Sequence, residues 1–469
     1  MVEVKCNYEI KEKSFVNNSN LMNLEDVYDL SPCQLDDLKK YIDSPTEGWF
    51  HENLVFEFHG KIDVEIFREC WEKILKCHSI LRTGFLFNNL EKPVQAVFKD
   101  VKLPLEILNW HELDEGKRNE QFDKLIQEDK LIPYQLEKAP LMRLSLILCP
   151  NDHFILWWRF HHLLMDGWSF SIVLFNFFAL YRECLGVKSD GDTIPLYPFK
   201  DYIYYRKLRE TSGEETFWKE YFKDFDIQKM IEKKDRPSSN NLVRLAKQGR
   251  VDIELSDLYH ELKHIMKDNG LSMNTIFQGV FTLLSNDYCN QDGDIVTGQV
   301  VADRSLKLEN SHKRVGLFVN TLPIRAKIQE NIKFSDWLKD LQVSMLNVFQ
   351  YSVSSEQEIK KWINVPMEKD LFQNVLVFEN VPLAGDPCEG LPFDILKYNL
   401  ESHPCYPLIL FVWPDENLHF KAVYNNEIYS KEVITGFLKK FRLRLENFIK
   451  DPELLMTSLT SPIKTLRKE

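Results

Sequence analysis

The chain has 469 residues, 44 % hydrophobic and 13 % aromatic, enough for two lobes with large cores and too apolar for a disordered chain. Its net charge of −12 argues against nonspecific nucleic-acid binding and leaves room only for a local basic patch. The nine cysteines are scattered without a CxxC pair, so free thiols in a reducing cytoplasm are expected rather than a disulfide framework or a zinc site.

Residues 1–23 are polar, carry no apolar signal region and read as an arm. Apolar periodicity begins at LEDVYDLSP. A strand is expected over 53–60 and a helix over 63–78, where Val64, Phe67, Trp71 and Ile74 recur every three to four residues. A strand over 93–98, a helix over 113–130 and two strands over 141–149 and 153–162 follow. The second of that pair, HFILWWRFHH, is nearly all apolar, as when both faces are covered. Asp166 stands at an N-cap position before a helix running from about 168 to 184. The apolar run SFSIVLFNFFALY falls short of the ~18 residues of a membrane span and reads as a buried helix of a soluble protein.

The Gly-, Asp- and Pro-bearing segment 185–198 is the expected domain boundary, and 233–241 is a second polar break. Beyond them helices are expected near 255–269, 272–288, 334–350 and 431–449, and strands over 294–302, 317–326, 372–380, 407–414 and 418–425. Strands and helices therefore occur in both halves. The expected division is an arm 1–23, a first lobe 24–187, a second lobe 188–462 with segments bridging to the first, and a polar tail 463–469.

The stretch FHHLLMDGWSF holds the densest chemistry. Successive strand residues face opposite ways, so one of His161 and His162 should meet a cavity and the other the scaffold. Adjacent strand histidines are poorly placed on one ion and no third His or Cys lies nearby, so no metal is expected. Imidazole titrates near ~6.5 and serves as base or hydrogen-bond donor near neutral pH. Asp166 either orients a histidine or pairs with an arginine to lock the loop, and its place at a helix start favours the pair. Gly167 is expected to permit a tight turn after the carboxylate. GxSxG is absent and SxxK occurs only as SPIK in the tail, so direct transfer between two bound substrates is expected rather than a covalent enzyme intermediate.

HHLLMDGWS resembles the core motif of nonribosomal peptide synthetase condensation domains, in the chloramphenicol-acetyltransferase-like superfamily. VYDLSPCQ, CHSILRTGF, YPFKDYIYY, VVADRSLKL, VGLFVNTLPIR, SEQEIKKWINVP and LFQNVLVFENVPL resemble its other segments in family order. The likeness covers about 24–460, and the DFGWG motif of plant acyltransferases is missing. The resemblance implies an α/β (α+β sandwich) fold of two acetyltransferase-like lobes in a V, with an active-site tunnel between them. It implies amide formation by attack of an acceptor amine on a carrier-bound acyl or aminoacyl thioester. Both substrates would ride on phosphopantetheine arms of donor and acceptor carrier proteins, with no permanently bound cofactor, and the enzyme would be a cytoplasmic monomer.

His162 matches the catalytic histidine of the motif, with His161, Asp166 and Gly167 as its frame and Arg304 as the partner of Asp166 from the second lobe. Ser31, Gln34, Trp168, Ser169 and Asn320, each inside a motif, are expected to support the tunnel or its loops. Cys77 stands where the family often has Arg, so Arg82, Arg143 or Arg304 is expected to brace the loop instead, and Asp303 replaces a usual Gly. Alternatives are an alcohol or free-amine acceptor, or a noncatalytic carrier-docking module. The starting Met and the lack of adenylation or carrier segments favour a stand-alone enzyme over a piece of a synthetase. Acidic carriers would then meet an acidic chain, unless KKDR (233–236) or the tail KTLRKE attracts them.

Overall fold

The computed structural model describes residues 22–43, 49–187, 197–208, 213–227, 248–289, 293–304, 308–379, 386–402 and 405–459. Nearly all of the arm, the tail with SPIK and KTLRKE, the break at 233–241 and most of the boundary segment 185–198 lie outside them. The elements in chain order are β1 (Leu24–Asp29), α1 (Pro32–Asp43), β2 (His51–Gly60), α2 (Val64–Cys77), β3 (Thr83–Leu86), β4 (Val94–Phe98), β5 (Leu105–Asn109), α3 (Glu115–Lys130), β6 (Met142–Cys149), β7 (His153–His161), α4 (Gly167–Cys184), α5 (Lys200–Leu208) and α6 (Glu214–Tyr221). Then come β8 (Gln248–Glu254), α7 (Tyr259–Asn269), α8 (Met273–Cys289), β9 (Asp294–Ala302), β10 (Val319–Lys327), α9 (Phe334–Phe349), α10 (Glu356–Trp362), β11 (Asn374–Phe378), β12 (Phe393–Glu401), β13 (Leu408–Trp413), β14 (His419–Asn425) and α11 (Lys431–Lys450).

Two large sheets organise the molecule. The first has five strands in the order β12-β2-β7-β6-β5, and the second has six in the order β10-β9-β11-β13-β14-β8. A small sheet, β1-β4-β3, flanks the first. The apolar strand β7 is central in its sheet and covered on both faces. Trp158 packs edge-on against Trp71 of α2 at 5.0 Å, and Trp157 meets Phe122 of α3 at 5.4 Å on the other face. Helix α2 starts where Asp63 accepts from the Glu65 and Ile66 amides, and it buries Phe67, Trp71 and Ile74 along one stripe. No helix of the described residues is long and apolar enough to cross a membrane.

Each large sheet carries its own core. One core draws mainly on residues from Tyr28 to Ile203, joined by Leu308, Val315, Phe318, Cys388, Phe393 and Cys405, and the other runs from Trp218 to Leu459. The chain crosses between them. Strand β12, late in sequence, pairs antiparallel with β2, and its Phe393 packs on Phe58, Phe154 and Tyr181. Phe199 and Tyr202 join the first core and pack on Phe318, the residue before β10. These crossings hold the two sheets in one register around a shared cavity.

Candidate active site

The cavity has a volume of about 370 Å³ and lies where the two sheets meet. Its walls follow strand alternation, because every second side chain shares a face. From the first sheet come Phe160 and His162 at the end of β7, Phe50 and Glu52 at the start of β2, and Leu400 and Ser402 at the end of β12. From the second come Val300 and Ala302, Val319 and Thr321, Val375, Val377 and Glu379, and Ile409 and Phe411. Cys33 and Asp37, one turn apart on α1, and Gly167, Trp168 and Phe170 of α4 close the ends.

The two histidines separate as alternation requires. His162 lines the cavity, whereas His161 is fully buried among Tyr41, Phe50, His51 and Tyr134. The Nδ1 atom of His161 accepts the Leu163 N–H at 3.2 Å, so that nitrogen carries no proton. Burial, and then the rings of His51 and His162, hold the His161 pKa well below the usual range, and the ring stays neutral. The backbone of the turn is fully bonded. The His161 N–H donates to Leu141 O, the His162 N–H to Phe50 O, and the Leu164 and Met165 amides to the carbonyls of His161 and His162.

Asp166 fastens this turn to the second lobe. Its Oδ1 accepts from the Ser169 N–H at 2.8 Å and from Arg304 Nη2 at 2.9 Å, and its Oδ2 accepts from the Phe318 N–H at 2.9 Å. The pair is buried, with the Asp166 side chain 1 % and the Arg304 side chain 7 % exposed. Arg304 also donates to Ser169 Oγ and to the carbonyls of Ser311 and Arg314, and its guanidinium lies over Phe318. Ser169 Oγ in turn donates to Gly316 O. Gly316 itself is forced by space, since a Cβ there would strike the Phe199 ring. Where a tight turn after the carboxylate was expected, helix α4 begins at once, and Gly167 has no positive φ. It is the first residue of α4 and lines the cavity next to Asp166.

The remaining motif residues divide. Gln34 donates to Leu163 O at 2.9 Å, holding the residue after His162, while Ser31 and Gln34 bond reciprocally at the start of α1. Trp168 lines the cavity and donates through Nε1 to His312 O. Arg82 reaches Glu25 and the carbonyls of Leu75 and Phe98, away from the motif. Arg143 pairs with Asp129 and lies over the ring of Tyr134, so it meets His161 only through that ring. Asn320 faces away from the cavity and donates to the carbonyls of Ser352 and Ser354. Of the three arginines considered as braces, Arg304 is the one that touches the loop. Asp303, in place of a glycine, is buried and accepts from Tyr202 and Ser352.

Sequence reasoning missed three carboxylates. Asp37 Oδ2 lies 3.5 Å from His162 Nδ1. Glu52 pairs across the ladder with Phe160 and accepts from Ser402 at 2.5 Å. Glu379 follows β11 on the face of Val375 and Val377. The only signal for them was strand and helix phase, which becomes useful once the partners are known. Their effect on His162 is large. Burial lowers its pKa, but the Asp37 contact and the charges of Glu52, Asp37 and Asp166 outweigh that and lift it to about 9. Glu379 is raised to about 7 by burial and then by the charges of Glu52 and Asp166. Before substrate enters, the site therefore holds an imidazolium at neutral pH.

Two large mixed sheets thus share one cavity, and the second histidine of HHxxxDG enters it. Residues 24–467 match the family model described as Condensation domain, and the chain belongs to that family. It is 28 % identical to a linear gramicidin synthase polypeptide of Brevibacillus parabrevis, over 94 % of this chain and 6 % of that protein. It is 26 % identical to a plipastatin synthase polypeptide of Bacillus subtilis (strain 168), over 93 % of this chain and 17 % of that protein. The chain thus spans a small part of these curated relatives. In fold it is similar to the condensation domain from Monacolin K polyketide synthase, with a TM-score of 0.75 at 16 % identity, covering 92 % of this chain and 100 % of the other. It is likewise similar to the first condensation domain of the calcium-dependent antibiotic synthetase, with a TM-score of 0.73 at 14 % identity, covering 94 % and 100 %.

Proposed function

We propose that this chain forms an amide bond in nonribosomal peptide biosynthesis, joining an acceptor amine to an acyl or aminoacyl thioester carried on a phosphopantetheine arm. The observation that carries this reading is His162 standing in a cavity walled by both sheets, within a family of condensation domains. Two carrier proteins would bring the tethered substrates. Asp166 and Arg304 act as the structural tie that sets the turn, and His161 acts as scaffold.

The chemistry asks little of a strong base. A thioester is an activated donor, and an α-amine has a pKa of only about 8. Holding both reactants in one cavity supplies up to roughly 7–11 kcal/mol of the barrier. His162 turns Nδ1 toward Asp37, which leaves Nε2 as the ring nitrogen for substrate. As an imidazolium it donates a hydrogen bond where negative charge develops on the thioester oxygen.

The test is intact-mass detection of the lengthened acyl chain on an acceptor carrier, with loaded donor and acceptor carriers and the purified chain. Product that depends on His162 supports the reading. Carrier binding with no turnover would replace it with a docking role, and product only with an alcohol acceptor would replace the amide with an ester.

A further inference from the structure

The second sheet brings one charged side chain to the cavity. Val375, Val377 and Glu379 share a face by strand alternation, and all three line the space that His162 enters from the other sheet. The Glu379 backbone is fixed, its N–H donating to Val412 O at 2.8 Å. Asp166 is bound to Arg304 and Glu52 to Ser402, and both orient groups within the protein. Neither lysine nor arginine lines the cavity among the described residues. A cationic acceptor thus meets one carboxylate on the wall opposite the histidine.

We propose that Glu379 is the second proton-handling residue of this site, binding the acceptor ammonium across from His162 and taking the proton that must leave before nitrogen attacks. This rests on the condensation reading above. The step balances without a co-reactant. The N–C bond forms as the C–S bond breaks. Of the three ammonium protons, one stays on the amide nitrogen, one goes to the departing sulfur, and one passes through Glu379 to solvent. The assignment also explains how the site works with His162 already protonated, because the ring then donates while the carboxylate accepts. The titratable groups facing Glu379 are Glu52, Asp166 and His162 from the first lobe and Tyr398 of β12, and their charges set its proton affinity.

The experiment compares the full chain with Glu379→Gln, which keeps shape and removes the charge. Single-turnover condensation between loaded carriers is expected to slow about 100-fold at pH 7.5, where Glu379 is ionised and the amine still largely protonated. The loss should shrink above pH 8, where the acceptor amine is already neutral. Equal slowing at both pH values would mark a structural role, and rates within about twofold of the parent at both would leave no role. Either result overturns the proposal. A second arm needs no turnover: NMR titration with butylammonium and with 1-butanol. The ammonium should bind the parent about tenfold more tightly than Glu379→Gln, and butanol equally to both. Equal ammonium binding overturns the proposal even if the carriers are mismatched. Failure of the condensation reading looks different, as product formation that is absent or indifferent to His162.

Discussion

The first sheet brings Glu52 and His162 to the cavity, backed by Asp37, whereas the second brings valines, Ile409 and Phe411, with Thr321 and Glu379 as its polar groups. The contrast extends to how each wall is held. The first wall depends on a turn whose backbone amides are all engaged and whose carboxylate is tied to Arg304. The second is plain strand alternation over a large apolar core. One lobe therefore supplies the histidine and most of the charged groups, and the other supplies a mainly apolar surface with one carboxylate and a guanidinium that locks the first in place. Excluding water strengthens each charge that remains.

Removing His162 should break this division most. His162→Ala is expected to slow condensation by roughly 10²–10⁴-fold with little change in melting temperature, measured by product mass and thermal unfolding. A variant as fast as the parent would mean that the first wall carries no chemistry.

Asp166→Ala comes next, and its effect is on folding. It leaves Arg304 buried beside Ser169 without its carboxylate, and loss of one partner of a buried pair costs roughly 3–5 kcal/mol. Chemical denaturation should show that loss, with activity falling in step. Lost activity at unchanged stability would move Asp166 from tie to chemistry. On the second wall, Val377→Ala removes two methyl groups from a side chain 8 % exposed, worth about 1–2 kcal/mol. It should alter which bulky donors are accepted more than the rate with small ones. A rate loss as large as that of His162→Ala would end the view of the valines on this wall as apolar lining only.

Sequence made the elements around the histidines legible because their signals are local. The apolar run ending at His161 and the Asp166 cap place β7 and α4 within a residue of their observed ends. The half-exposed strands β5, β8 and β12 and the short helices α5, α6 and α10 were missed, since each buries too little for a clear period. FDILKYNLE does alternate, but nothing in it reveals that β12 joins a strand some three hundred residues earlier. The same non-locality hid Asp37, Glu52 and Glu379. Their phase becomes readable only when α1, β2 and β11 are known to face one space.

The smallest expected effect tests the lone charge of the second wall through stability. Glu379 holds its proton more tightly folded than unfolded, because burial and the nearby carboxylates raise it to about 7. Folding therefore loses free energy as pH rises from the ordinary carboxylate range through about 7, and gains it back on acidification. Glutamine has no such dependence. Glu379→Gln should melt slightly above the parent at pH 8, with the gap closing toward pH 5, while groups remote from Glu379 titrate alike in both proteins and cancel. A gap that is flat with pH, or that opens on acidification, would mean that Glu379 is solvated like a surface carboxylate, and the wall opposite His162 would then be apolar in effect as well as in composition.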